Sequence, residues 1–191
     1  MPNANVAFGL KPVKMADGSP YNGATNPVHA PSSYATALYI GDPVKLSGTA
    51  DATGIPGVIL SATGEVIHGV IVGFQDQPSM VLGYGAASTT RYPLIATGQD
   101  ILFEIQDDGV GGAIAATDIG LNVDLIAAAG STYSRRSGYM VDTSTKATTA
   151  TLQVRILGLV QRPDNEIGTN AKLLVTINNT TATPGTASAG V

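Results

Sequence analysis

A chain of 191 residues has room for one ordinary domain with or without extended arms, and only 13% of this one is charged, against roughly 25% in a typical soluble domain. The net charge of −4 and ten scattered Lys and Arg argue against a direct nucleic-acid ligand, because counterion release needs clustered cations. With no cysteine there is no disulfide framework and no thiolate chemistry, and the apolar stretches are too short to span a bilayer. A surface of Thr, Ser, Asn, Gly and Ala in place of charge favours association with neighbours, a small-residue β-domain with a neutral surface being the plainer alternative.

The first residues, Met1-Pro2-Asn3-Ala4-Asn5-Val6, lack the basic segment and apolar run of a secretory signal, which fits synthesis in a reducing cytoplasm. Residues 1–36 hold Pro2, Pro12, Pro20, Pro27 and Pro31, and proline at this density breaks helices and removes ladder donors. They also hold Phe8, Leu10, Val13, Tyr21 and Tyr34, too many large apolar groups for a disordered tail. The segment therefore reads as an ordered, extended arm. It lies either across a neighbouring surface or back on its own body. If it clamps a neighbour, its removal leaves the body folded.

Residues 37–179 read as the body, a run of short strands punctuated by glycine turns. Leu38-Tyr39-Ile40 leads into the turn Gly41-Asp42-Pro43, and Val44-Lys45-Leu46 then alternates. Residues 66–74 are nearly continuous in apolar and β-branched groups, so both faces are expected to be buried, with glycines that permit a bulge. After a short strand at 92–95, residues 101–106 place Ile101, Phe103 and Ile105 on one face and Glu104 and Gln106 on the other. Residues 113–120 and 123–129 are the two places for short helical turns. Residues 152–156 and 172–177 alternate again, with Arg155 outward, and Arg162-Pro163-Asp164-Asn165 between them predicts an antiparallel pair. The Thr-, Ala- and Gly-rich tail, 180–191, reads as flexible. The fold class is mainly β: a small barrel, tulip-like, or a sandwich, with an extended N-terminal arm.

Little in the chain carries chemistry. His29 sits in the proline-rich arm and His68 in the most apolar strand, with no Gly-x-Ser-x-Gly elbow to support a triad. No spacing of His, Cys or carboxylates suits zinc. Asp107-Asp108-Gly109 precedes a glycine-rich run, but the alternating ligands and closing Glu of a calcium loop are missing, so a strand-ending acidic turn is expected. No catalytic, metal-binding or cofactor-binding residue is assigned. The candidate partner-contact residues are Phe8, Leu10, Val13, Tyr21 and Tyr34 in the arm region, with Arg135 and Arg136 as outward forks for carboxylates.

Four segments carry a resemblance: Ser33-Tyr34-Ala35-Thr36-Ala37-Leu38-Tyr39-Ile40-Gly41-Asp42-Pro43-Val44; Gly69-Val70-Ile71-Val72-Gly73-Phe74; Asp118-Ile119-Gly120-Leu121-Asn122-Val123-Asp124; and Ile156-Leu157-Gly158-Leu159-Val160-Gln161-Arg162-Pro163-Asp164-Asn165. Over residues 1 to about 178 the chain resembles the head decoration, or cement, proteins of tailed bacteriophages. The resemblance implies a barrel or tulip-like body on the outside of an icosahedral head, bound to the major capsid protein. It also implies a homo-oligomer, trimer before dimer. These motifs are turns and strands, so no family contact residue carries over. A tail or tube component is the nearest alternative, although it needs a long hairpin that is not evident. A host- or carbohydrate-binding module is opposed by the absence of Trp and the 5% aromatic content.

Overall fold

Proline placement explains much of the architecture. A proline cannot donate to a ladder, so within sheets it is confined to edges and strand starts. The computed structural model describes residues 3–75, 83–182 and 190, and in it eleven strands form two antiparallel sheets. The first sheet has the order β1 (Lys11–Met15), β7 (Ile101–Gln106), β11 (Lys172–Ile177), β10 (Val154–Leu159), β8 (Asn122–Ile126), β9 (Met140–Ala147). The second runs β2 (Asn26–Pro27), β6 (Pro93–Ala96), β5 (Gly69–Phe74), β3 (Pro43–Ala50), β4 (Pro56–Leu60). Pro12 and Pro27 lie in edge strands, and Pro43, Pro56 and Pro93 each open a strand. The arm thus supplies one edge to each sheet.

The inward faces follow the period-2 pattern. Phe103, Ile105, Leu173, Val175, Val154, Ile156, Val123 and Leu125 are all sealed from solvent and pack with Ile67, Val70 and Ala96 from the second-sheet side. A smaller cluster, Val28, Leu38, Val44, Val58, Ile71 and Ile95, fills the other side of the second sheet. Val70 and Ile71 are neighbours in sequence yet sit in different clusters, so this strand is buried on both faces as its composition predicts. The bulge also forms, at Ile71/Gly73 against β6. Strands β10 and β11 pair antiparallel, and the Asn165 amide clamps their turn by donating to Val160 and Lys172 carbonyl oxygens, both at 2.8 Å.

The mainly β class holds, and of the barrel and the sandwich that the sequence left open the body is the sandwich: the first sheet curls until the end of β7 meets the start of β9, but the contact is one parallel bridge, Asp107–Val141. Two helical expectations need correction. Residues 123–129 are not helical: 122–126 form β8, because Val123 and Leu125 point inward while Asp124 and Ile126 point out, a strand period. The helical expectation at 113–120 shrinks to one 3₁₀ turn, Ala116–Asp118, where the Asp118 carboxylate accepts the Ala115 N–H at 2.9 Å. Glu104 and Gln106 lie on the face opposite Phe103 and Ile105, and that face is buried as well. Arg162 pairs with Glu104 at 2.8 Å, and the Gln106 side chain bonds Asn5 and the Val6 N–H at 2.7 and 2.8 Å.

Candidate functional site

The arm reaches the site by a close crossing. Gly9 and Gly41 both have positive φ, 71° and 96°. A Cβ on Gly9 would lie 2.4 Å from the Gly41 carbonyl oxygen and 2.4 Å from the Ser137 Cβ. Only glycine fits there. The Leu10 N–H donates to the Gly41 carbonyl at 2.9 Å, and the Ser137 N–H to that of Ile40, also at 2.9 Å. The arm, the 39–42 turn and the 131–137 loop are thereby locked together.

This crossing gathers four of the seven sequence-derived contact residues. Phe8, half-buried, lines an open hollow of about 280 Å³ with Lys11, Glu104, Arg136 and Arg162. Lys11 and Arg136 also border a second hollow of about 240 Å³, whose remaining wall is largely apolar: Leu10, Pro12, Tyr21, Ile40, Ile71 and Val72. Leu10 is 1% exposed and belongs to the chain's own core, which removes it as an outward contact. Val13 lies elsewhere, beside Leu159, Val160 and Leu174. Tyr34 packs on the smaller cluster and accepts the Leu60 N–H through its hydroxyl at 3.1 Å.

The 131–137 loop is held by its own backbone and serines. The Ser131 N–H donates to the Arg136 carbonyl at 2.9 Å, the Arg135 N–H to the Ser131 carbonyl at 2.7 Å, and the Ser134 N–H to the Ser131 hydroxyl at 3.2 Å. Arg135 takes a left-handed backbone, φ 59°, and its side chain covers Gly83. Tyr133 stands at the tip and is 97% exposed. Attention to the arginine pair missed this tyrosine. Its signal in the sequence is an aromatic residue inside an otherwise polar Ser-Thr-Tyr-Ser-Arg-Arg-Ser run.

Charge is unevenly distributed around the first hollow. Glu104 faces Lys11 in the β1–β7 ladder, yet its carboxylate is taken by Arg162, which also contacts Asp164 at 3.4 Å. Among the described residues no carboxylate lies within ion-pair distance of Lys11 or Arg136. Beneath the loop, Asp42 is 1% exposed and accepts the Tyr39 N–H at 2.7 Å. Burial pushes its carboxyl up to about 6, against the opposing pull of bonds from Ser137 and Tyr39.

Of the residues weighed for chemistry, the His29 ring packs beside Tyr92 with its Nδ1 unpartnered, while His68 and the Asp107-Asp108 pair have structural partners. His68 meets the Thr181 hydroxyl at 3.2 Å, and burial pulls its imidazole below the ordinary value. Asp107 accepts the Gly109 and Ala171 N–H groups at 2.6 and 2.7 Å, while burial, the larger influence, raises its carboxyl. Asp108 accepts the Thr143 hydroxyl at 3.1 Å, so this turn fastens β7 to β11 on one side and β9 on the other. Among the described residues no group of three His, Cys, Asp or Glu could hold a metal, and no helix is long and apolar enough to cross a membrane. No family model, curated protein or solved structure matches this chain.

Proposed function

We propose that this chain is a structural virion protein, a decoration protein that binds the outer surface of a tailed-phage capsid and stabilises the head against the pressure of its DNA. The four segments that resemble cement proteins support the phage context. The observation that carries a binding role is the clasped loop: Tyr133, 97% exposed, is held between fixed backbone bonds and followed by two arginines. Tyr and Arg dominate the energetics of protein interfaces, and a rigid loop loses little entropy on docking. The partner is the major capsid protein, and the free protein is a homo-oligomer, trimer before dimer. The site of action is the capsid exterior after synthesis in the host cytoplasm, with no nucleic-acid or membrane contact and no enzymatic activity.

The test adds purified protein to DNA-filled phage heads that lack a decoration protein. Saturable occupancy and a raised temperature of DNA release are expected, with at least tenfold weaker binding for Tyr133→Ala. Heads that take up none of the protein would refute the reading.

A further inference from the structure

We infer that the two hollows sharing Lys11 and Arg136 form one recognition site for an acidic-apolar peptide segment, a carboxylate side chain entering the first hollow and a large aliphatic side chain the second. The inference rests on the decoration reading for its partner, which would be an exposed loop of the capsid protein.

Charge complementarity selects the occupant. Three cations, Lys11, Arg136 and Arg162, face the first hollow against one lining carboxylate, Glu104; Asp164 also contacts Arg162, so the local balance is one positive charge on a chain whose net charge is −4, and among the described residues Lys11 and Arg136 have no ion-pair partner. Glu104 is buried and engaged at 2.8 Å, so it fixes the Arg162 guanidinium rather than neutralising its neighbours. The Phe8 ring forms a low-dielectric wall beside these cations, which strengthens attraction to an incoming anion. The second hollow shares Lys11 and Arg136 with the first, and its partly exposed Pro12, Ile40 and Val72 side chains offer nothing to a polar group. Adjacent side chains of an extended peptide point to opposite sides, whereas residues two apart share a face about 6.5–7 Å apart. A Glu-x-Leu spacing therefore suits two hollows with a common wall.

The experiment titrates the isotopically labelled full chain with an acetylated, amidated Glu-Ser-Leu-Ser peptide and follows its amide resonances. Shifts centred on Lys11, Arg136 and Tyr21 are expected, with affinity falling at least tenfold in Lys11→Glu/Arg136→Glu and staying within twofold in Lys14→Glu, an exposed neighbour on the same strand. If the double reversal fails to fold, Lys11→Gln/Arg136→Gln supplies the same comparison. Replacing the peptide's leucine by serine should weaken binding at least threefold. Unchanged affinity in the double variant would overturn the inference. An equal response to inorganic phosphate would also overturn it, in favour of a simple anion pocket. Peptide binding by a protein that ignores heads would sink the decoration reading alone, and head binding without peptide binding would sink this site alone.

Discussion

The arm and the 131–137 loop are both irregular and rich in small residues, yet they use their large side chains in opposite ways. Residues 3–15 turn Leu10 into the core, lay Asn5 and Val6 over Gln106, and pair β1 with β7. Buried Lys172 holds the same segment by donating to the carbonyls of Ala4 and Asn170. The loop closes on itself through the Ser131 and Arg135 N–H groups, is tied outward only at its end, where the Ser137 N–H reaches the Ile40 carbonyl, and leaves Tyr133 in solvent. The difference lies in where the hydrogen-bond partners are. A segment whose donors and acceptors are met by distant strands is drawn into the fold, while one that meets them within six residues is free to present a side chain.

The sharpest way to break this contrast is to delete residues 1–15. Loss of β1, of the Leu10 core contact and of the cover on Gln106 should abolish cooperative thermal unfolding, read by near-UV circular dichroism. A deletion that still melts cooperatively within a few degrees of the full chain would make the arm a surface appendage. Leu10→Ala isolates the core contact and should cost about 2–5 kcal/mol in urea unfolding, as buried Leu truncations do.

Asp42 lies where the two regions meet, and its effect is intermediate in size. Its carboxyl rises from an ordinary 3.8 to about 6 on folding, so the folded state binds the proton more tightly than the unfolded one. Its contribution is fully present below about pH 4 and is lost as pH rises through about 6, a swing of about 3 kcal/mol. Asp42→Asn should flatten that part of the profile, and parallel profiles for the two proteins would contradict the assignment. Smallest of all, Tyr133→Ala should leave stability within about 0.5 kcal/mol while weakening head attachment. A large fall in stability would mean that the loop is part of the core.

The strands were readable because apolar residues at every second position leave little choice of face, as Leu173, Val175 and Ile177 show. Alternation also set Glu104 and Gln106 apart from Phe103 and Ile105, but it does not reveal that the arm and the 162–166 turn will cover their face. Residues 122–126 resembled a helix because the adjacent alanines blur the period. Of the site, Phe8, Tyr21 and Arg136 were legible as residues but not as neighbours. Their meeting depends on the Gly9–Gly41 crossing, a contact between positions 32 apart that leaves no mark on local periodicity.

The reach of the arm also sets an order of events during synthesis. The Asn3 side chain donates to Glu166, and the Lys172 ammonium to the Ala4 carbonyl, contacts spanning 163 and 168 positions. At roughly 5–20 residues per second, this segment waits on the order of ten to thirty seconds after its own synthesis for these partners. Until then the β7 edge and Leu10 have no settled home, and the nascent chain is at its most prone to stick to others. Such long-range closure slows folding far more than it weakens the finished fold, so the protein completes itself late and nearly all at once.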